Sequence, residues 1–169
     1  MAETAEQYRN RMYSYLEGRD PLVLLAVAPQ KLEGLIEGVS AAKLRQRSAP
    51  GKWSICEIVA HLADTELVGG YRIRMILGAP GATIQAFDQD DWAAAMQYQK
   101  RNVRKSLDQY HALRQANLAL LKSLTPKQWK QYGMHSERGE ESVETIVRMF
   151  AGHDINHREQ VKRILSAKK

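Results

Sequence analysis

A chain of 169 residues with 44% hydrophobic content can bury a sizeable core without staples, and its one cysteine, Cys56, excludes an internal disulfide and a CxxC motif. The formal net charge of +6 is scattered: Lys43 to Arg47, Arg101 to Lys105 and the Lys168-Lys169 tail are locally basic, and each reads as a solvated helix face or terminus. With no basic recognition helix, signal pattern or membrane-length apolar run, the expectation for residues 1–169 is one cytoplasmic domain. Neither specific nucleic-acid binding nor membrane contact is expected of it.

In chain order, Tyr8, Met12, Tyr15 and Leu16 recur at helical spacing and predict a short leading helix stopped by Gly18. Asp20-Pro21 starts the next, with an N-cap acceptor followed by a proline that lacks an N–H to leave unpaired. Pro29 predicts a break or kink before Leu32, Leu35, Ile36 and Val39 resume the stripe. Residues 40–53 read as a connection.

Ser54-Ile55-Cys56-Glu57 is a capping box opening a long helix to about Gly78, with Ile55, Ile58, Val59, Leu62, Ile73, Ile76 and Leu77 inward. Gly69-Gly70 in its middle permits close packing or a kink. Residues 78–92 are longer than adjacent antiparallel helices need, which predicts a crossover along the bundle. A short helix over Asp91 to Met96, a long one over Asn102 to Leu124 and a brief one at Thr125-Pro126-Lys127-Gln128 follow. After a polar loop, Met134 to Glu141, Ser142 caps a last helix running to about Ser166. No segment alternates like a strand.

On that last helix His153 and His157 interrupt an apolar stripe of Val143, Ile146, Val147, Phe150, Val161 and Ile164. Four residues apart, the two rings lie about 40° from each other and can hold one metal ion. His61, flanking the buried side of the helix that starts at Ser54, is placed to supply a third ligand. Spacing alone leaves open a pair of core histidines satisfied by polar neighbours, and it does not bring the two helices together. Asp154 stands where a zincin-type H-E-x-x-H would have glutamate, so that protease motif does not apply.

Gly51-Lys52-Trp53-Ser54, Glu57, His61-Leu62-Ala63-Asp64-Thr65-Glu66 and His153-Asp154-Ile155-Asn156-His157-Arg158-Glu159-Gln160 together resemble the DinB/YfiT-like superfamily of small helical metalloproteins. Arg72 to Leu77 and Pro80 to Trp92 are similar to its YfiT branch. The resemblance implies an all-α, four-helix bundle with up-down-down-up topology and short additional helices. It also implies a divalent metal held by His61, His153 and His157, with zinc or nickel expected, and it admits a homodimer.

Three imidazoles with an open position describe a catalytic metal rather than a structural one. The first expectation is transfer of a low-molecular-weight thiol, bacillithiol-like, to a small-molecule electrophile. Hydrolysis by a metal-activated water is the alternative, and a non-catalytic metal- or ligand-binding, stress-associated bundle is a third reading. Asp64, one turn after His61, reads as a carboxylate orienting a ligand imidazole or as a surface or cap-network residue. His135 reads as a group at the mouth of the site or as an exposed loop histidine. Asp154 and Asn156 suit solvent or interhelical pairing, Glu66 an ion pair with Arg72 or Arg74, Cys56 a small buried role, and Trp53, Trp92 and Trp129 anchoring of element ends.

Overall fold

Eight α-helices form among residues 3–167, the part of the chain that this computed structural model describes; the Lys168-Lys169 tail lies outside the described residues. In order they are α1 (Ala5–Ser14), α2 (Pro21–Ile36), α3 (Ala41–Arg45), α4 (Ile55–Gly78), α5 (Gln89–Ala95), α6 (Val103–Lys122), α7 (Pro126–Trp129) and α8 (Val143–Ser166). Side chains cap the starts at the positions read from the sequence, and Thr4 adds one that was not. Thr4, Ser54 and Thr125 form reciprocal boxes with Gln7, Glu57 and Gln128, and Ser142 accepts from the Thr145 N–H.

The long helices α2, α4, α6 and α8 form the bundle, with α6 and α8 each packed against both α2 and α4. Their directions follow from two apolar layers. One joins Leu24 and Leu25 of α2, Ile73 and Ile76 of α4, Leu118 and Leu121 of α6, and Ile146 and Val147 of α8. The other joins Leu32 and Ile36, Ile55 and Ile58, Leu107 and Tyr110, and Val161 and Ile164. Helices α2 and α8 therefore run from the first layer to the second while α4 and α6 run the opposite way. This is the up-down-down-up arrangement, and the parallel α4–α6 pair requires the crossover read from residues 78–92.

Pro29 does not break α2, which is helical from Pro21 to Ile36. A proline has no N–H for the carbonyl four residues earlier, and here that carbonyl, Leu25 O, accepts from Arg114 Nη1 at 2.8 Å. The connection over residues 40–53 contains α3, capped by Ser40.

The expectation of no strands is corrected. β1 (Thr83–Ile84), β2 (Tyr132–His135) and β3 (Gly139–Ser142) form a three-stranded sheet among the described residues, with β2 parallel to β1 and antiparallel to β3. What reads as the polar loop from Met134 to Glu141 is a hairpin turning at residues 136–138, with Gly139 at φ 73° supplying the left-handed conformation such a turn needs. Its inward side chains carry no apolar signal: Gly133 and His135 point in from β2 and Glu141 from β3. The sheet ends at Ser142, the N-cap of α8, so the hairpin sets where the ligand-bearing helix begins.

Candidate metal centre

Between the apolar layers lies a belt of buried polar side chains, and the histidines occupy its α4–α8 side. His61 projects from α4 while His153 and His157, one turn apart, project from α8. His61 Nε2 and His157 Nε2 each lie 3.1 Å from His153 Nε2. Each ring offers one nitrogen, and the three lie within 4.8 Å of one another. Nitrogens bound to one zinc at about 2.0–2.1 Å stand about 3 Å apart, which the two separations from His153 match.

The electrostatics fit as well. Burial pushes His153 down to about 4 and His157 down to about 3, and it holds His61 well below the usual histidine range. All three rings are therefore neutral at neutral pH, the form that ligates. Gln160 Oε1 lies 3.0 Å from His157 Nδ1. An amide oxygen only accepts, so the proton sits on Nδ1 and Nε2 offers its lone pair to the cluster. Converging buried lone pairs repel one another unless a proton or a cation lies among them.

Trp53, in the segment before α4, covers the cluster. Its ring lies 4.8 Å from the His61 ring and stacks over that of His157 at 6.3 Å and 9°. Its Nε1 donates to Asp90 Oδ1 at 2.9 Å, which ties it to the first turn of α5. It is an anchor, as the sequence suggested, and it also walls the site.

Asp64 does not touch an imidazole. Its carboxylate accepts from Tyr98 Oη at 2.8 Å and from Arg101 Nη1 at 3.1 Å, so it fastens the crossover to α4. His135 is neither exposed nor at the cluster: it is buried in β2, with Nδ1 accepting from the Glu137 N–H at 3.2 Å. The remaining histidine, His111, lies 3.5 Å from Glu33 on the far side of the bundle. Glu66 does not pair with Arg72 or Arg74; it accepts from Arg114 at 2.6 Å and from Asn117 at 2.8 Å. Asp154 and Asn156 both pair between helices, with Arg114 at 2.7 Å and with Tyr15 at 3.2 Å. Arg114 and Arg72 are the functional candidates that the sequence reading passed over. An arginine inside an apolar helical stripe was the available signal for the first.

A cavity of about 260 Å³ opens beside the cluster, lined by His61, Thr65, Arg72, Phe87 and His153 among others. Larger clefts of about 460 and 440 Å³ lie behind Trp53 and between α1, α2 and α8, where no ring nitrogens converge. Chemistry rather than size selects the smaller one.

Fold and site together describe a helical bundle with a histidine cluster suited to a divalent ion. The chain belongs to the DinB superfamily, whose sequence profile matches residues 24–161. An Oceanobacillus iheyensis protein named as a candidate metal-dependent hydrolase is 28% identical over 136 residues, which cover 80% of this chain and 78% of the relative. YfiT of Bacillus subtilis, named in the same way, is 24% identical over 153 residues, covering 89% and 86%. The solved structure of YfiT, described as a four-helix bundle of unusual topology, matches with a TM-score of 0.80 at 21% identity. That match covers 96% of this chain and 88% of YfiT. No helix among the described residues is long and apolar enough to cross a membrane.

Proposed function

We propose that this chain is a metal-dependent enzyme in which His61, His153 and His157 hold one divalent ion, zinc or nickel, and that it transfers a low-molecular-weight thiol to a small electrophile. The observation that carries this is the convergence of three buried, neutral imidazoles, two of which, His61 and His153, line a cavity. An ion held there supplies Lewis-acid chemistry, lowering the pKa of whatever water or thiol occupies its open position.

The chain's own residues favour sulfur over water. Among the described residues no carboxylate lines the cavity, and Asp64, the nearest acid in sequence to His61, is engaged by Tyr98 and Arg101. An ion lowers the pKa of bound water to about 7, so ionising it needs no base; what hydrolysis would still lack is a carboxylate to carry that proton to the leaving group, whereas thiol transfer needs none. The chain brings no thiol of its own to the cavity: Cys56 is buried against the carbonyls of Tyr98 and Arg101, and burial pushes its thiol up. The nucleophile therefore comes from outside. Its S–H bond breaks, a C–S bond forms as the electrophile's bond to its leaving group breaks, and the proton ends on that group or in solvent. Trp53 packs over the His61 and His157 rings, and Phe87 lines the cavity beside them.

Hydrolysis is the second reading, favoured by the names of the relatives. A panel of thiols with an electrophilic acceptor, run with metal-loaded protein, separates the readings. Metal-dependent thioether formation is the expected result. Turnover of an ester or amide in water without thioether supports hydrolysis, and the absence of both supports a binding module.

A further inference from the structure

The cavity beside the histidines contains a charge that nothing within it balances. His61, Thr65 and Arg72 share one stripe of α4, because steps of four and eleven residues return to within about 40° and 20° of the start. All three line the same cavity. It therefore extends along α4 from the cluster to Arg72, over a helix rise of about 16 Å. The arginine side chain shortens that span, since it leans towards the helix N-terminus.

Arg72 is only 7% exposed. Its Nη2 donates to Gln85 O at 2.7 Å, and its guanidinium lies 5.7 Å from the centre of the Phe87 ring. Among the described residues no carboxylate forms an ion pair with it. The neighbouring Arg138 is matched by Glu141 at 2.6 and 3.0 Å, which leaves the exposed Glu137 as the remaining acid close enough to be felt. Burial, with the like charge of Arg138 adding to it, pushes Arg72 down to about 10. A buried guanidinium ordinarily has an anionic partner, and its planar fork matches a carboxylate. One unbalanced positive charge suits one carboxylate better than a doubly charged phosphate.

We propose that Arg72 is the specificity-determining residue of this cavity, binding the carboxylate end of an elongated substrate whose other end reaches the histidine cluster. The identity of that other end as a thiol rests on the function proposed above; the carboxylate subsite does not.

Calorimetric titration of the zinc-loaded protein with mercaptohexanoate, mercaptohexanol, hexanoate and hexanol tests both halves. Each acid is expected to bind about tenfold tighter than its alcohol, the effect of one charge-assisted pair. Arg72→Gln erases that preference at unchanged zinc content, and Arg72→Lys keeps part of it. Equal binding of acid and alcohol by the native protein overturns the proposal, whatever the variants do, and so does a preference that survives in folded Arg72→Gln. If hexanoate outbinds hexanol while neither thiol outbinds its thiol-free analogue, the subsite stands and the thiol reading fails. If the thiols gain affinity with no preference for acids, the thiol reading stands and the subsite fails.

Discussion

Arg114 joins all four long helices. From α6 its Nη1 reaches Leu25 O of α2 at 2.8 Å and Asp154 of α8 at 2.7 Å, and its Nη2 reaches Glu66 of α4 at 2.6 Å. Burial disfavours its charge, but the two carboxylates outweigh burial and keep it protonated. The same contact completes the helix around Pro29 and fixes the residue next to His153. Arg114→Met leaves two buried carboxylates and a buried carbonyl without their partner. The expected cost is about 3–5 kcal/mol, read from urea unfolding. Replacing the partners together with the arginine should cost much less than the arginine alone. The histidines were legible in the sequence because imidazoles on an apolar stripe are conspicuous. The partners of Glu66 were not, because helical spacing finds neighbours on one helix, whereas Arg114 arrives from another.

At the scale of elements, the long helices were legible, while short α3 and the sheet were not. Capping residues and apolar stripes mark α4 and α8 to within a residue, and Gly69 and Gly70 prove to be close approaches. A Cβ at Gly69 would stand 1.7 Å from the Phe150 ring, and one at Gly70 would stand 2.4 Å from Asn117. The hairpin escaped notice because its inward positions are glycine, histidine and glutamate, so hydrophobic alternation had nothing to report. A Cβ at Gly152 would meet the backbone oxygen of Met12 at 2.0 Å. Gly152→Ala should therefore push α1 off α8, costing about 1–3 kcal/mol in urea unfolding and opening α1 to protease.

Glu57 stands at the start of α4. Burial opposes its ionisation, but hydrogen bonds from Arg47 and Ser54 outweigh this and hold the carboxyl below the usual range. A lowered folded pKa means that the unfolded chain binds more protons in acid. The stabilisation is therefore complete above the ordinary glutamate value of about 4.3 and is lost as pH falls through the lower folded value. Glu57→Gln should flatten the acid limb of a stability–pH curve and leave its slope near neutrality unchanged.

Across the whole molecule, two apolar layers enclose a polar belt, and the belt is divided by function. Arg114, Glu66, Asp154 and Asn117 knit the bundle on one side, while on the other His61 and His153 line the cavity with His157 packed behind them. The crossover through β1 and α5 makes α4 and α6 parallel and delivers Phe87 to that cavity. The connectivity was legible as the excess length of residues 78–92. The wall that Trp53 and Phe87 build was not, because it depends on how that connection folds back. The most direct measurement of the central claim is the metal content of purified protein, native and His157→Ala, by mass spectrometry alongside far-ultraviolet circular dichroism. One divalent ion per chain in the native protein, lost in a variant that keeps its helical spectrum, is the predicted result; a folded variant retaining its full metal content would contradict the three-histidine centre.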